Sequence, residues 1–230
     1  MCIRDSASTE LARIAVSDTE ARHRIDLSAF AGQQIELAIA TETGATETLD
    51  YVFIAEPTVY TPTSKPQRMV LVFIDTLRAD AMGLYGYERD TSPKLDAWSA
   101  DAAVFTQARS VAPWTLPSAR TMVTGTHPER WDKVERLQSR LASNGWATGM
   151  IAGNVYLSSN FEMADGWGMH RCINWPQGSV QIQRGLAFLE QNRDQDAFLM
   201  LHLMDMHLPY TEPFQYRSLF AGPPPAELGS

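Results

Sequence analysis

Cysteine is nearly missing from this chain: Cys2 and Cys172 stand far apart, with no CxxC and no Cys/His zinc spacing. A disulfide framework and a structural zinc site are therefore not indicated. Long apolar runs are missing too. The longest, Met69 to Ile74, falls far short of the roughly 20 residues that span a bilayer, so no membrane span is expected. Basic clusters are absent. The net charge is -8, with ten acids against four bases in residues 1–62 and seventeen against fifteen thereafter. No basic stripe could track a nucleic-acid backbone, and no nucleic-acid partner is expected. Neither GxGxxG nor GxxxxGK[ST] follows the first apolar strand, which sets a nucleotide-binding reading low. Repeats and low-complexity tracts are also lacking.

What remains is an ordinary globular composition: 230 residues, 44% hydrophobic, 20% charged, with 14 Gly and 13 Pro scattered through the chain. That length suits one sizeable core and part of a second. The opening MCIRDS feeds into no later pattern, no apolar leader follows it, and residues 1–21 read as a non-native lead with at most a partial strand. Residues 22–60 alternate with period two, in RHRIDLSAF, AGQQIELAIAT and LDYVFIA, and read as the last strands of a β-sandwich. The Pro-rich stretch 61–67 reads as a linker.

From residue 68 to 230 strands alternate with helices. Strands are expected at 69–74, 103–108, 146–153 and 197–204, and helices at 92–102, 117–123, 132–145 and 180–192. Solidly apolar strands between helices predict an α/β fold with a doubly wound, mostly parallel sheet.

Three loci could carry chemistry. The apolar strand MVLVFI runs into Asp75, at the kind of strand end where open α/β sheets place ligands, although a lone Asp there more often caps a turn. Thr115 precedes Pro117, which suits a first helical position, so the hydroxyl would lie at the positive end of a helix dipole. Read alone, Thr115 is an N-cap. Finally, the strand AFLMLHLM ends in Asp205 and His207, two residues apart and so facing the same side. That pairing shifts His207 towards a ligand or general-acid role. His202 has the other parity and reads as core, while His23, His127 and His170 read as structural or surface residues.

The stretches IDTLRAD, YGYERDTSPKLD, WTLPSARTMVTGTHP and HLMDMHLPY, in that order over residues 69–210, resemble the sulfatase family of the alkaline phosphatase superfamily. The resemblance implies an alkaline-phosphatase-like fold, incomplete here. It makes Asp75 a metal ligand, Thr115 the nucleophile and a second ligand, and His207 the group touching the scissile ester. Arg120 is a displaced substitute for the family arginine, which would fall at Ala119. The implied cofactor is a divalent metal: hard oxygen ligands suit calcium first, then magnesium or manganese, and zinc serves members with a Thr nucleophile.

The sequence departs from the pattern at Thr115, which cannot become formylglycine, at Thr76, where an Asp is usual, and at Asn154, where a Lys is usual. No Asp/His pair follows His207 to close the metal site, so the chain reads as a piece of a longer protein. Sulfated or phosphorylated small molecules or glycans are the implied substrates, and a periplasmic or extracellular location is implied with them. Hydrolysis, phospho-group transfer and non-catalytic binding of anionic glycans all remain open.

Overall fold

The computed structural model describes residues 2–4, 10–15, 21, 23–42, 52–54, 57–210, 216 and 219. The chain divides into two units, Met1–Pro57 and Thr58–Ser230.

The first unit holds three short strands, β1 (Cys2–Arg4), β2 (Glu10–Arg13) and β3 (Ala38–Ala40), paired antiparallel in the order β2-β1-β3. Two of them lie in the stretch expected to be a non-native lead. The strand expected over 22–30 does not form in its described part. There the Asp26 carboxylate accepts the Ser28 N–H at 2.8 Å, and residues 28–30 close a 3-10 turn. This is the local capture by which Asp side chains compete with sheet ladders. Residues 52–54 also carry no strand, and Phe53 is 92% exposed; the rest of 49–55 lies outside the described residues. Among the described residues of this unit there is one sheet.

The second unit is built on four parallel strands, β4 (Arg68–Ile74), β5 (Ala147–Ala152), β6 (Met169–Cys172) and β7 (Ala197–Leu203), in the order β4-β7-β5-β6. This is the expected α/β architecture with a parallel sheet. The helices are α1 (Pro93–Ser99), α2 (Thr115–Thr124), α3 (Leu137–Ser143) and α4 (Gly178–Gln191). Strand β6 was not legible, because MHRC is four residues long and half polar. Residues 103–108, expected as a strand, form none: Val104 and Phe105 stand exposed ahead of a turn.

Side chains of β5 and β7 alternate between two cores. Met150, Ala152, Phe198 and Met200 pack with Leu116, Ala119 and Val123 of α2, while Ala147, Ile151, Leu199 and Leu201 pack with Phe188 of α4. Strand β4 lies at the sheet edge, with Val70 and Val72 about half exposed. The segment before it is tied to this unit: Tyr60 Oη donates to the Asp194 carboxylate, the Thr63 N–H to the Asp194 carbonyl at 2.7 Å, and the Gln67 N–H to Asp196 Oδ1 at 2.7 Å. Among the described residues, no helix is long and apolar enough to cross a membrane.

Candidate active site

The β4–β7 ladder continues one residue past Ile74, where the Asp75 N–H donates to the Leu203 carbonyl at 2.9 Å. Asp75 is thereby fixed at the carboxyl end of the edge strand, with its side chain on the α2 face. Thr76 follows at φ 56°, a left-handed conformation rarely adopted by a β-branched residue, and its hydroxyl donates to the Met206 carbonyl at 2.7 Å. That bond joins the exits of β4 and β7.

Helix α2 starts at Thr115, not at Pro117. Trp114 is the extended N-cap residue, and Pro117 falls at the third helical position. Proline is tolerated there because the first N–H groups of a helix have no intrahelical acceptor to lose. No side chain caps this helix start. Thr115 is thus the first helical residue, 7% exposed, with its hydroxyl donating to Asp75 Oδ2 at 2.9 Å.

Two residues not expected here complete the cluster. Asn154 Nδ2, just past β5, donates to Thr115 Oγ1 at 3.3 Å and to Asp75 Oδ2 at 3.4 Å. His202 on β7, fully buried, places Nε2 3.2 Å from Asp75 Oδ2. Its Nδ1 lies 3.3 Å from the Gly153 N–H, which can only donate. Nδ1 is therefore the acceptor, and Nε2 carries the proton shared with Asp75. The parity argument put His202 in the core, and it is there. What parity could not show is a partner 127 residues earlier in the chain. Asn154 carried a signal, since it stands where the resembling family has Lys.

Burial pushes the Asp75 carboxyl up. Hydrogen bonds from His202, Thr115 and Asn154 outweigh it, so the group sits below the ordinary carboxylate range.

His207 is not brought into this cluster. Its Nδ1 lies 2.6 Å from the Leu208 carbonyl, and its ring meets Trp175 edge-to-face at 5.1 Å. Arg120 is directed elsewhere: Nη2 donates to the Phe161 carbonyl at 3.1 Å, and the guanidinium lies over Trp131. Five residues along a helix turn a side chain about 140° away, which separates Arg120 from Thr115. Asp205 is likewise apart, accepting the Gly178 N–H at the start of α4.

Asp75 and Thr115 offer two hard oxygens close enough to share one divalent cation, and that donor chemistry suits part of a metal site. Among the described residues, no group of three or more His, Cys, Asp and Glu completes such a site.

A family model described as Sulfatase matches residues 67–186, just over half of the chain. The chain belongs to the sulfatase family. It is 30% identical over 81 residues to the steryl-sulfatase of Mus musculus, a match covering 35% of this chain and 13% of the relative. It is 40% identical over 55 residues to the putative transferase YhbX of Escherichia coli strain K12, covering 24% of this chain and 10% of the relative. The zinc complex of the C-terminal periplasmic domain of EptC from Escherichia coli has the same fold, with TM-score 0.58 and 18% identity. That likeness covers 73% of this chain and 55% of the solved one. This sulfatase-family chain thus spans little more than a tenth of the curated relatives and about half of the solved domain.

Proposed function

We propose that this chain carries the nucleophile half of an active site that cleaves or transfers a sulfate or phosphate ester group. The observation behind this reading is the buried Thr115 hydroxyl, which starts an uncapped helix and donates at 2.9 Å to Asp75. Thr115 Oγ1 is the attacking atom: its bond to sulfur or phosphorus forms as the bond to the ester oxygen breaks, and the hydroxyl proton passes to water. Asp75 holds the hydroxyl proton at Oδ2 and so aims the oxygen. A carboxyl below its ordinary range is a weak proton acceptor, so its part is orientation and charge. Asn154 Nδ2 holds both oxygens in register. The first-turn N–H groups of α2 offer an anion a positive end.

A divalent cation held by Asp75 and Thr115, with its remaining ligands from outside the described residues, would supply Lewis acidity that makes the hydroxyl nucleophilic and screens the ester oxygens. Zinc is the ion in the solved domain of like fold, and hard oxygen donors equally admit calcium, magnesium or manganese.

His207 is the proposed proton donor to the departing oxygen. A carbonyl can only accept, so Nδ1–H is committed to Leu208, which leaves Nε2 to exchange the proton. Arg120 has no part in this arrangement. Because threonine cannot become formylglycine, the group leaves Thr115 by attack of water or a second alcohol on sulfur or phosphorus. Group transfer is favoured by the likeness to a putative transferase, and a periplasmic or extracellular setting by the solved periplasmic domain.

The test uses the full-length protein with aryl sulfate, phosphate monoester and phosphodiester substrates and added divalent metals. Thr115→Ala should lower turnover by about 10³-fold or more, and mass spectrometry of the quenched enzyme should find the transferred group on Thr115. Turnover in Thr115→Ala equal to that of the parent would defeat the reading.

A further inference from the structure

Residues 197–201 of β7 are all apolar and buried, and His202, fully buried itself, breaks that run. The β4–β7 ladder sets it beside Phe73, and the two rings meet edge-to-face at 4.7 Å. Asp75 lies two residues beyond Phe73 and so shares its face of the sheet. An apolar side chain would fill the same place without needing partners for two ring nitrogens.

The imidazole is held from behind. Gly153 gives its N–H to Nδ1 at 3.3 Å and accepts the Trp175 N–H on its carbonyl at 3.0 Å. A Cβ on Gly153 would fall 2.8 Å from Met204 Cγ, so a residue without a side chain lets the strand end come this close. From α4, the fully buried Gln181 donates Nε2–H to the His202 carbonyl at 2.7 Å.

Three donors meet on one carboxylate oxygen of Asp75. Thr115 Oγ1 at 2.9 Å, His202 Nε2 at 3.2 Å and Asn154 Nδ2 at 3.4 Å all reach Oδ2, and Oδ1 takes none of them. The last torsion of an Asp side chain is broad and roughly two-fold, so its donors decide which oxygen turns inward. The Thr115 bond cannot serve throughout, because its proton leaves as the oxygen attacks. Asn154 makes the longest of the three bonds. The imidazole donor stands outside the bond exchange and persists through it.

We infer that His202 is a positioning residue: its Nε2–H holds Oδ2 of Asp75, so that Oδ1 is the oxygen presented to a divalent cation. This rests on the reading of Asp75 and Thr115 as joint holders of that cation. Hydrogen-bond partners of a ligating carboxylate act on metal affinity through the orientation of the ligand, without touching the metal.

The test reads cation binding in the full-length protein and needs no turnover. Zinc affinity is measured by competition with a chromophoric chelator, and calcium is titrated separately. His202→Leu, which fills the space without a donor, should bind about 10- to 100-fold more weakly than the parent. His202→Gln, whose amide can still donate to Oδ2, should recover most of that loss. Gln181→Met removes the bond to the His202 backbone and leaves the imidazole donor in place, so it should lower the urea midpoint with metal affinity unchanged. A histidine serving the core alone would instead make affinity follow stability through all three variants. In the parent, ring-nitrogen NMR spectra should show the His202 proton on Nε2 before and after zinc is added, a reading that needs no variant to fold. Parent-like affinity in His202→Leu, a proton on Nδ1, affinity that tracks the urea midpoint, or no binding of either ion by the parent would overturn the proposal. Failure of Thr115 to act as nucleophile would appear separately, as unimpaired turnover in Thr115→Ala.

Discussion

At the scale of residues, Asp75 is where long-range order becomes chemistry. One carboxylate oxygen gathers a hydroxyl from α2, an amide from the end of β5 and an imidazole from β7. Replacing Thr115 by Val keeps the shape and removes one donor to the ionised carboxylate, which should cost about 1.5–3 kcal/mol near neutral pH. The sign of its pH dependence follows from a folded-state value below the ordinary 3.8. Stability from the ionised Asp75 is fully present above 3.8 and is lost as pH falls through the lowered folded value. Urea denaturation of both proteins should therefore give a constant gap from pH 7 to about 5 and a narrowing gap below that. A gap that widens on acidification would contradict the assignment. Asp75 and Thr115 were legible because each ends or begins an element whose pattern is local. His202 was legible only as core, and Arg120 was misplaced because helical phase counts from the true start of α2, two residues before the expected one.

At the scale of elements, the apolar runs of β4, β5 and β7 declared a parallel sheet, since such strands are covered on both faces. Residues 103–108 carried a similar pattern but pair with no strand among the described residues, and β6 pairs with β5 despite its polar half. Pairing decides these cases, and pairing is not written in a window of six residues. Helix α4 lies so close to β5 that a Cβ on Gly149 would fall 2.8 Å from Cε2 and Cζ of Phe188. Both side chains are held in the core, so Gly149→Ala should destabilise by about 1–3 kcal/mol through overpacking. Thermal unfolding of that variant, compared with the Gly149→Ala/Phe188→Leu pair, should show partial recovery in the double variant. Equal losses in both would remove steric conflict as the cause.

At the scale of the whole molecule, the described sheet ends in a strand that is apolar on both faces. Among the described residues nothing pairs with the outer side of β4, where Met69, Val70 and Val72 are 41–50% exposed. An unpaired apolar border of this kind templates further strands. The 230-residue chain on its own should associate as its concentration rises, and Val72→Lys should suppress that association, as read by sedimentation velocity across a tenfold concentration series. A monodisperse parent chain at every concentration would contradict this. The same border bears on the proposed site, because Asp75 terminates that outermost ribbon. Whatever zips onto β4, whether a later stretch of a longer polypeptide or a neighbouring copy, would arrive beside the carboxylate and change the field around it.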